Sequence, residues 1–132
     1  MKVLSIKEPF ATLVKDGVKI YETRSWKTNY RGELYIHASL GMSTSSRKIK
    51  AMSHLKSPLN PGYILCKCNL VDCILMDDDF IDYIETETHE KDYGEYSKGR
   101  YAWKLALLEV LEEPILAKGR LGIWNFEKNR LF

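Results

Sequence analysis

Apolar and polar positions change their spacing several times along the chain, and each spacing predicts a different element. An apolar run at residues 3–6 predicts a first strand. Phe10 and Val14 then stand at helical spacing, and Gly17 follows where a helix end favours a residue without a Cβ. Because β-favouring residues return at 20–26, the chain is expected to pass from a short helix directly into a strand.

The rest of the pattern predicts further strands and one more helix. The strands are expected at 32–38, 63–76, 100–110 and 122–126, and a basic amphipathic helix at 43–56. Pro114 is expected to interrupt the strand that precedes it. Since these strands do not alternate with long helices, a parallel doubly wound sheet is disfavoured. The pattern favours an α+β fold, a small, mostly antiparallel β-barrel or sheet with short peripheral helices.

One segment, residues 77–95, differs from the rest in its charge. It holds nine acidic residues against a single base, Lys91. A calcium site is disfavoured because the ligand spacing and central glycine of an EF-hand loop are missing. We expect an acidic loop or insert, either a solvated loop or a short helix, and contact with a basic partner is the alternative that its charge leaves open.

Length and composition predict a single domain that spans residues 1–132. The chain has 132 residues, of which 45% are hydrophobic, enough for one core. No run of about 18 apolar residues and no signal-like segment occurs, so no membrane association and a cytoplasmic location are expected.

The three cysteines, Cys66, Cys68 and Cys73, are crowded and odd in number. That layout favours buried thiols over disulfides or a metal site, and no cofactor is expected.

The net charge of +2 conceals an uneven distribution along the chain. Residues 1–60 hold 11 Lys and Arg against 4 Asp and Glu, a net charge of +7, and the remaining residues carry −5. A basic half can attract a phosphate-bearing ligand, because each cation near a phosphate releases condensed counterions. The competing interpretation is that the two halves mix their charges on one folded surface.

The segment 17–24, Gly-Val-Lys-Ile-Tyr-Glu-Thr-Arg, concentrates the charged candidates. Lys19, Glu22 and Arg24 follow the predicted glycine turn, and in an extended chain Glu22 and Arg24 point to the same face. The two cations can offer donors to a phosphate or a base edge, and Glu22 can accept from an exocyclic amine. Taken alone, the same pattern also fits a surface ion-pair cluster.

This motif, written GxKxxExR, is similar to the signature of the ASCH domain family, and the resemblance extends along most of the chain. The other similar parts of the chain are 4–10, 31–39, 99–103, Pro114, 118–119 and 122–124. The resemblance implies a PUA-like fold with a cleft around the motif that binds RNA or a nucleotide. It places Lys19, Glu22 and Arg24 in that cleft.

Five further residues are weaker candidates for the same ligand. Ser5 and Lys7 end the first predicted strand, and His37 and Ser39 end another. Trp26 lies between polar neighbours and is the best exposed platform for base stacking, whereas Trp103 and Trp124 stand in apolar strands typical of a core.

An enzymatic alternative remains open at the level of sequence. Some small ASCH-like proteins are amidohydrolases of N4-acetylcytidine that use a lysine and, three residues later, a threonine. Here Lys19 matches the lysine, but Glu22 takes the threonine's place and the neighbouring Thr23 would face away. Glu22 as a general base with Lys19 stabilising the oxyanion is one version of this alternative, and a ribonuclease using the same cleft is another.

Overall fold

The computed structural model describes residues 1–127, so the last five positions of the expected 1–132 domain lie outside the described residues. Its strands are β1 (Lys2–Glu8), β2 (Tyr21–Arg24), β3 (Gly32–Met42), β4 (Tyr63–Leu75), β5 (Tyr101–Leu116) and β6 (Ile123–Asn125). Its α-helices are α1 (Phe10–Lys15), α2 (Lys48–Met52) and α3 (Asp78–Glu87), with a 3₁₀ turn at Glu90–Asp92. Within residues 1–127, no helix has the length and apolar character that crossing a bilayer requires.

The strands form one mixed sheet in the order β2-β5-β4-β3-β1-β6. β1 and β3 run parallel, and the other neighbouring strands pair antiparallel. The α+β class is therefore confirmed. The predicted barrel is not confirmed, because the described strands form an open sheet with β2 and β6 at its edges.

The core lies where α1 packs on the sheet. The helix is short but almost wholly buried, and Leu13 and Trp103 have no exposed surface. Gly17, at φ +76°, ends this segment in the left-handed region that glycine adopts without a steric penalty. The amides of Val18 and Lys19 then both donate to the carbonyl oxygen of Leu13. This turn delivers the charged motif directly into β2, as the sequence predicted.

Pro114 does not interrupt its strand, contrary to the prediction. β5 continues to Leu116 because the β4–β5 ladder shifts at this point. Ile64 pairs with Ile115, whereas Cys66 already pairs with Val110. The intervening residues of β5 therefore bulge out of the ladder, where a residue without an N–H costs no hydrogen bond.

The prediction of a basic amphipathic helix at 43–56 is wrong about its length, since α2 has only five residues. The hydroxyl of Ser43 accepts from the amide of Ser45, and that of Ser45 accepts from the amide of Arg47. These local turns compete with helix formation before residue 48. Ile49, expected on the apolar face, is 81% exposed.

The acidic segment 77–95 contains α3, the 3₁₀ turn and a buried side chain that fastens it to the sheet. Asp77 caps α3 by accepting from the amide of Phe80, and Asp78 and Asp79 stand in the first turn, where negative charge favours a helix. Ile84 is fully buried against Tyr21 and Met76. The helix is thus part of the packed fold.

The three cysteines are free thiols. Cys66 and Cys68 are buried on β4, and Cys73 is half-buried. A hydrogen bond with Cys68, reinforced by burial, raises the pKa of the Cys66 thiol far above its ordinary value. A thiol kept protonated in this way behaves as a small apolar side chain.

Candidate functional site

Glu22 lies between the two cations of the motif. Its Oε2 is 2.9 Å from both Nε and Nη2 of Arg24, and its Oε1 is 3.4 Å from Nζ of Lys19. Arg24 Nη2 also donates to the carbonyl oxygen of Ser5 at 3.0 Å. The guanidinium group of Arg24 therefore links β2 to β1, because it donates both to Glu22 and to the backbone of Ser5.

Lys19 differs from the other two because its ammonium group is buried, with the residue 2% exposed. Nζ donates to the backbone carbonyl oxygens of Tyr21 at 2.5 Å and Tyr93 at 2.8 Å, in addition to its contact with Glu22. Two hydrogen bonds and one ion pair therefore surround the buried ammonium group. Lys19 consequently supports Glu22 from behind the site.

Glu90, from the acidic segment, supports the same motif from a second direction. Its carboxylate oxygens accept from the amides of Ile20 at 3.0 Å and Tyr21 at 3.1 Å, and the residue is 4% exposed. Burial raises the pKa of Glu90, although the Lys19 charge opposes that shift. Sequence reasoning missed this residue, because a single Glu in a run of acids carries no distinguishing signal.

Ser5 and His37 form a second polar group beside the charged one. They are register partners on the parallel strands β1 and β3, and Ser5 Oγ lies 3.0 Å from His37 Nδ1. His37 Nε2 lies 2.8 Å from the carbonyl oxygen of Ala117, and Trp124 Nε1 donates to Ser5 Oγ at 3.1 Å. Three strands and the segment after β5 thus meet at this pair.

Both groups open into one cleft with a volume of about 1190 Å³. Six of the residues predicted from sequence line it: Ser5, Lys7, Glu22, Arg24, His37 and Ser39. Lys19 lies behind Glu22 and is not among the lining residues. Trp26 lies outside the cleft as well, packed edge-on against the buried Trp103 with ring centroids 4.7 Å apart.

Several cleft residues were not predicted. Three are cations, Arg47, Lys118 and Arg120, and three are leucines with exposed surface, Leu40, Leu116 and Leu121. Thr23, expected to face away from Glu22, also lines the cleft. The basic triplet 118–120 with its central glycine was a signal in the sequence, but only the fold brings it to the same cleft as Arg47.

The charge of the cleft lining is positive. Its cations are Lys7, Arg24, Arg47, Lys118 and Arg120, and its carboxylates are Glu22 and Glu95. The negative charge of Glu22 is balanced by its ion pairs with Lys19 and Arg24, so the other cations of the lining determine its net charge. Such a surface attracts anionic ligands.

Comparisons with known proteins agree with this fold. The ASCH domain profile matches residues 4–115. Among solved structures, the chain is similar to the crystal structure of ASCH from Zymomonas mobilis, with TM-score 0.57 and 17% identity over 87% of this chain and 72% of that one. It is also similar to the crystal structure of a tyrosine-to-phenylalanine mutant of that Zymomonas mobilis protein, with TM-score 0.54 and 16% identity over 87% of this chain and 74% of that one. No curated protein sequence matches the chain.

Proposed function

This chain belongs to the ASCH domain family, and from that membership and the cationic cleft we propose that it binds RNA or a nucleotide. ASCH domains are generally thought to bind RNA. The observation that supports the proposal in this chain is a set of cations in the cleft lining that form no ion pair with any carboxylate of residues 1–127. The ligand class follows from what those cations and the cleft floor can bind.

The rim cations are Lys7, Arg47, Lys118 and Arg120. Among the described residues, none of the four has a carboxylate oxygen within 4.0 Å. The other cation of the lining, Arg24, is committed to Glu22 and Ser5. Four unpaired cations around one concave surface favour a ligand with several negative charges, and a phosphodiester chain supplies them.

The floor of the cleft offers complementary groups for a base. Glu22 is 9% exposed, and its Oε1 has a single cationic neighbour at 3.4 Å, which leaves acceptor capacity toward the cleft. An exocyclic or ring N–H of a base is a suitable donor. The apolar surface of Phe10, Leu40 and Leu116 can cover the face of the same base.

The structure does not favour the hydrolase alternative built on Lys19. That version needs the ammonium group to reach an oxyanion of the substrate, but Lys19 is 2% exposed, and its Nζ donates to Tyr21 and Tyr93 and forms an ion pair with Glu22. We therefore place recognition, and not acyl chemistry by Lys19 and Glu22, at the motif.

The test is the binding of a fluorescein-labelled single-stranded RNA, measured by anisotropy over a range of salt concentrations. Arg47→Ala and Arg120→Ala should each weaken binding and lower the salt slope by about 1, as expected for one lost phosphate contact. Lys27→Ala is the matched control, because Lys27 is exposed but is not among the cleft residues. If the control weakened binding as much as the rim variants, the cleft assignment would be wrong.

A further inference from the structure

We propose that Ser5 is a nucleophile activated by His37, and that this pair gives the cleft an esterase activity on phosphate-bearing carboxylic esters. The sequence predicts Ser5 and His37 as ligand contacts, with a general base as the less favoured interpretation of His37. The hydrogen-bond geometry of the pair matches that of an activated hydroxyl beside a base. The phosphate-bearing part of the substrate rests on the proposed function, whereas the ester chemistry rests on Ser5 and His37 alone.

The tautomer of the neutral His37 ring follows from its hydrogen-bond partners. The carbonyl oxygen of Ala117 can only accept, so the nitrogen that faces it at 2.8 Å, Nε2, carries the proton. In the neutral ring Nδ1 is then an acceptor, and it lies 3.0 Å from Ser5 Oγ. Since Trp124 Nε1 donates to the same oxygen at 3.1 Å, the hydroxyl proton of Ser5 is directed at Nδ1.

The hydrogen bonds that Ser5 and His37 make with their neighbours support proton transfer from Ser5. The Trp124 N–H stabilises negative charge that develops on Oγ, and the Ala117 carbonyl stabilises positive charge that develops on the ring. His37 is 1% exposed and meets Trp124 edge-on with ring centroids 5.7 Å apart, so the ring is held in one orientation. An oriented base beside a hydroxyl is the requirement for nucleophilic catalysis.

Gly119 keeps the pair accessible. A Cβ at this position would lie 3.0 Å from Ser5 Oγ and 2.9 Å from His37 Cε1, too close for a side chain to be accommodated without a shift. Glycine leaves that space to a substrate. The amides of Lys118, Gly119 and Arg120 donate no hydrogen bond to any described residue, and all three residues line the cleft, so we assign them as backbone donors to the oxyanion.

The reaction needs only the ester and water. Ser5 Oγ bonds to the ester carbonyl carbon while its proton passes to His37 Nδ1. Collapse of the tetrahedral adduct breaks the bond to the alcohol oxygen, which takes the proton from Nδ1 and leaves as the free alcohol. Water then attacks the acyl-serine carbon and gives a proton to Nδ1. Collapse of this second adduct breaks the bond between the carbon and Ser5 Oγ, which recovers the proton from Nδ1, and the carboxylic acid leaves.

The test is covalent labelling of the wild-type protein with a fluorophosphonate probe, followed by peptide mass mapping, together with the release of p-nitrophenol from p-nitrophenyl acetate. We expect the label on Ser5. Ser5→Ala should abolish both signals, and His37→Gln should slow both by roughly a hundredfold, the usual contribution of a general base. Ser25→Ala, which removes an exposed hydroxyl outside the cleft lining, is the control.

Gly119→Ala adds a test of access, since it places a methyl group against the pair without removing either residue. It should strongly reduce labelling. A wild-type peptide map with no label on Ser5 would overturn the proposal, and so would equal labelling of the wild type and the His37→Gln variant. The wild-type map gives an answer even if a variant fails to fold. Neither reagent is a nucleic acid, so loss of RNA binding with retained labelling would remove the proposed function alone.

Discussion

Lys19 donates a 2.8 Å hydrogen bond to the backbone carbonyl oxygen of Tyr93, which lies 74 positions away along the chain. The bond connects the charged motif to the end of the acidic segment. Glu90 makes a second connection by accepting from the amides of Ile20 and Tyr21. The acidic segment therefore helps to set the position of Glu22. Variants of Lys19 should consequently change the stability of the fold, whether or not they change ligand binding.

Lys19→Met should lower the free energy of unfolding by about 3–5 kcal/mol, because it leaves the buried Glu22 without one partner and two carbonyl oxygens without a donor. Urea denaturation measures the change. Lys27→Met, at an exposed position, is the control. A loss below about 1 kcal/mol would contradict the buried arrangement and return Lys19 to the cleft surface.

Glu90→Gln should change how stability depends on pH. Burial raises the folded-state pKa of Glu90, so the folded protein holds this proton more tightly than the unfolded chain. Stability from this group is therefore fully present below its ordinary value of 4.5 and is lost as pH rises toward the folded pKa. The advantage of the wild type over Glu90→Gln should fall across that window, by at most about 1.4 kcal/mol per pH unit.

Thermal or urea unfolding between pH 4 and pH 8, roughly the range over which a raised carboxyl pKa acts, would reveal this difference. Glu87→Gln makes the same substitution at an exposed site on α3 and serves as the matched control. Parallel pH profiles for the wild type and the Glu90 variant would show that the pKa of Glu90 is the same in the folded and unfolded protein, and would contradict a raised pKa.

Glu22 and Arg24 should be energetically coupled. A double-mutant cycle with Glu22→Gln and Arg24→Met should give a coupling free energy of about 1–3 kcal/mol, because both guanidinium contacts reach one largely buried carboxylate. The Lys98–Asp78 pair, with side chains 71% and 80% exposed, provides a comparison cycle. Equal coupling in the two cycles would be inconsistent with the burial of Glu22.

Gly17→Ala should cost about 1–2 kcal/mol, because an L-residue at φ +76° is strained. Apart from Gly17 and its two chain neighbours, no described residue has an atom within 4 Å of the added Cβ, so the cost is conformational and not a packing clash. Gly41→Ala is a matched control with an equally open Cβ position and no positive φ, and it should be neutral or slightly stabilising. Equal effects at both positions, measured by urea denaturation, would rule out strain at Gly17.

Local patterns in the sequence predicted the elements whose cause is also local. Gly17 marked the helix end because the left-handed region is a property of one residue, and the strands from β1 to β6 followed from short runs of apolar and β-favouring residues. The predictions failed at Pro114 and at the 43–56 helix. There, a ladder shift in a distant strand and competing serine turns decided the outcome.

The sequence by itself determined the α+β class, the helix-to-strand turn and the charged motif, since each depends on neighbours along the chain. Only the tertiary structure decided which charges meet. It buried Lys19, whose ammonium group donates to the backbone of Tyr93, and it placed Ser5 beside His37 on the neighbouring parallel strand. It also brought Arg120 to the rim of the same cleft. Hydrogen bonds and ion pairs act over a few ångströms, and residues far apart in sequence come within that range only when the sheet assembles.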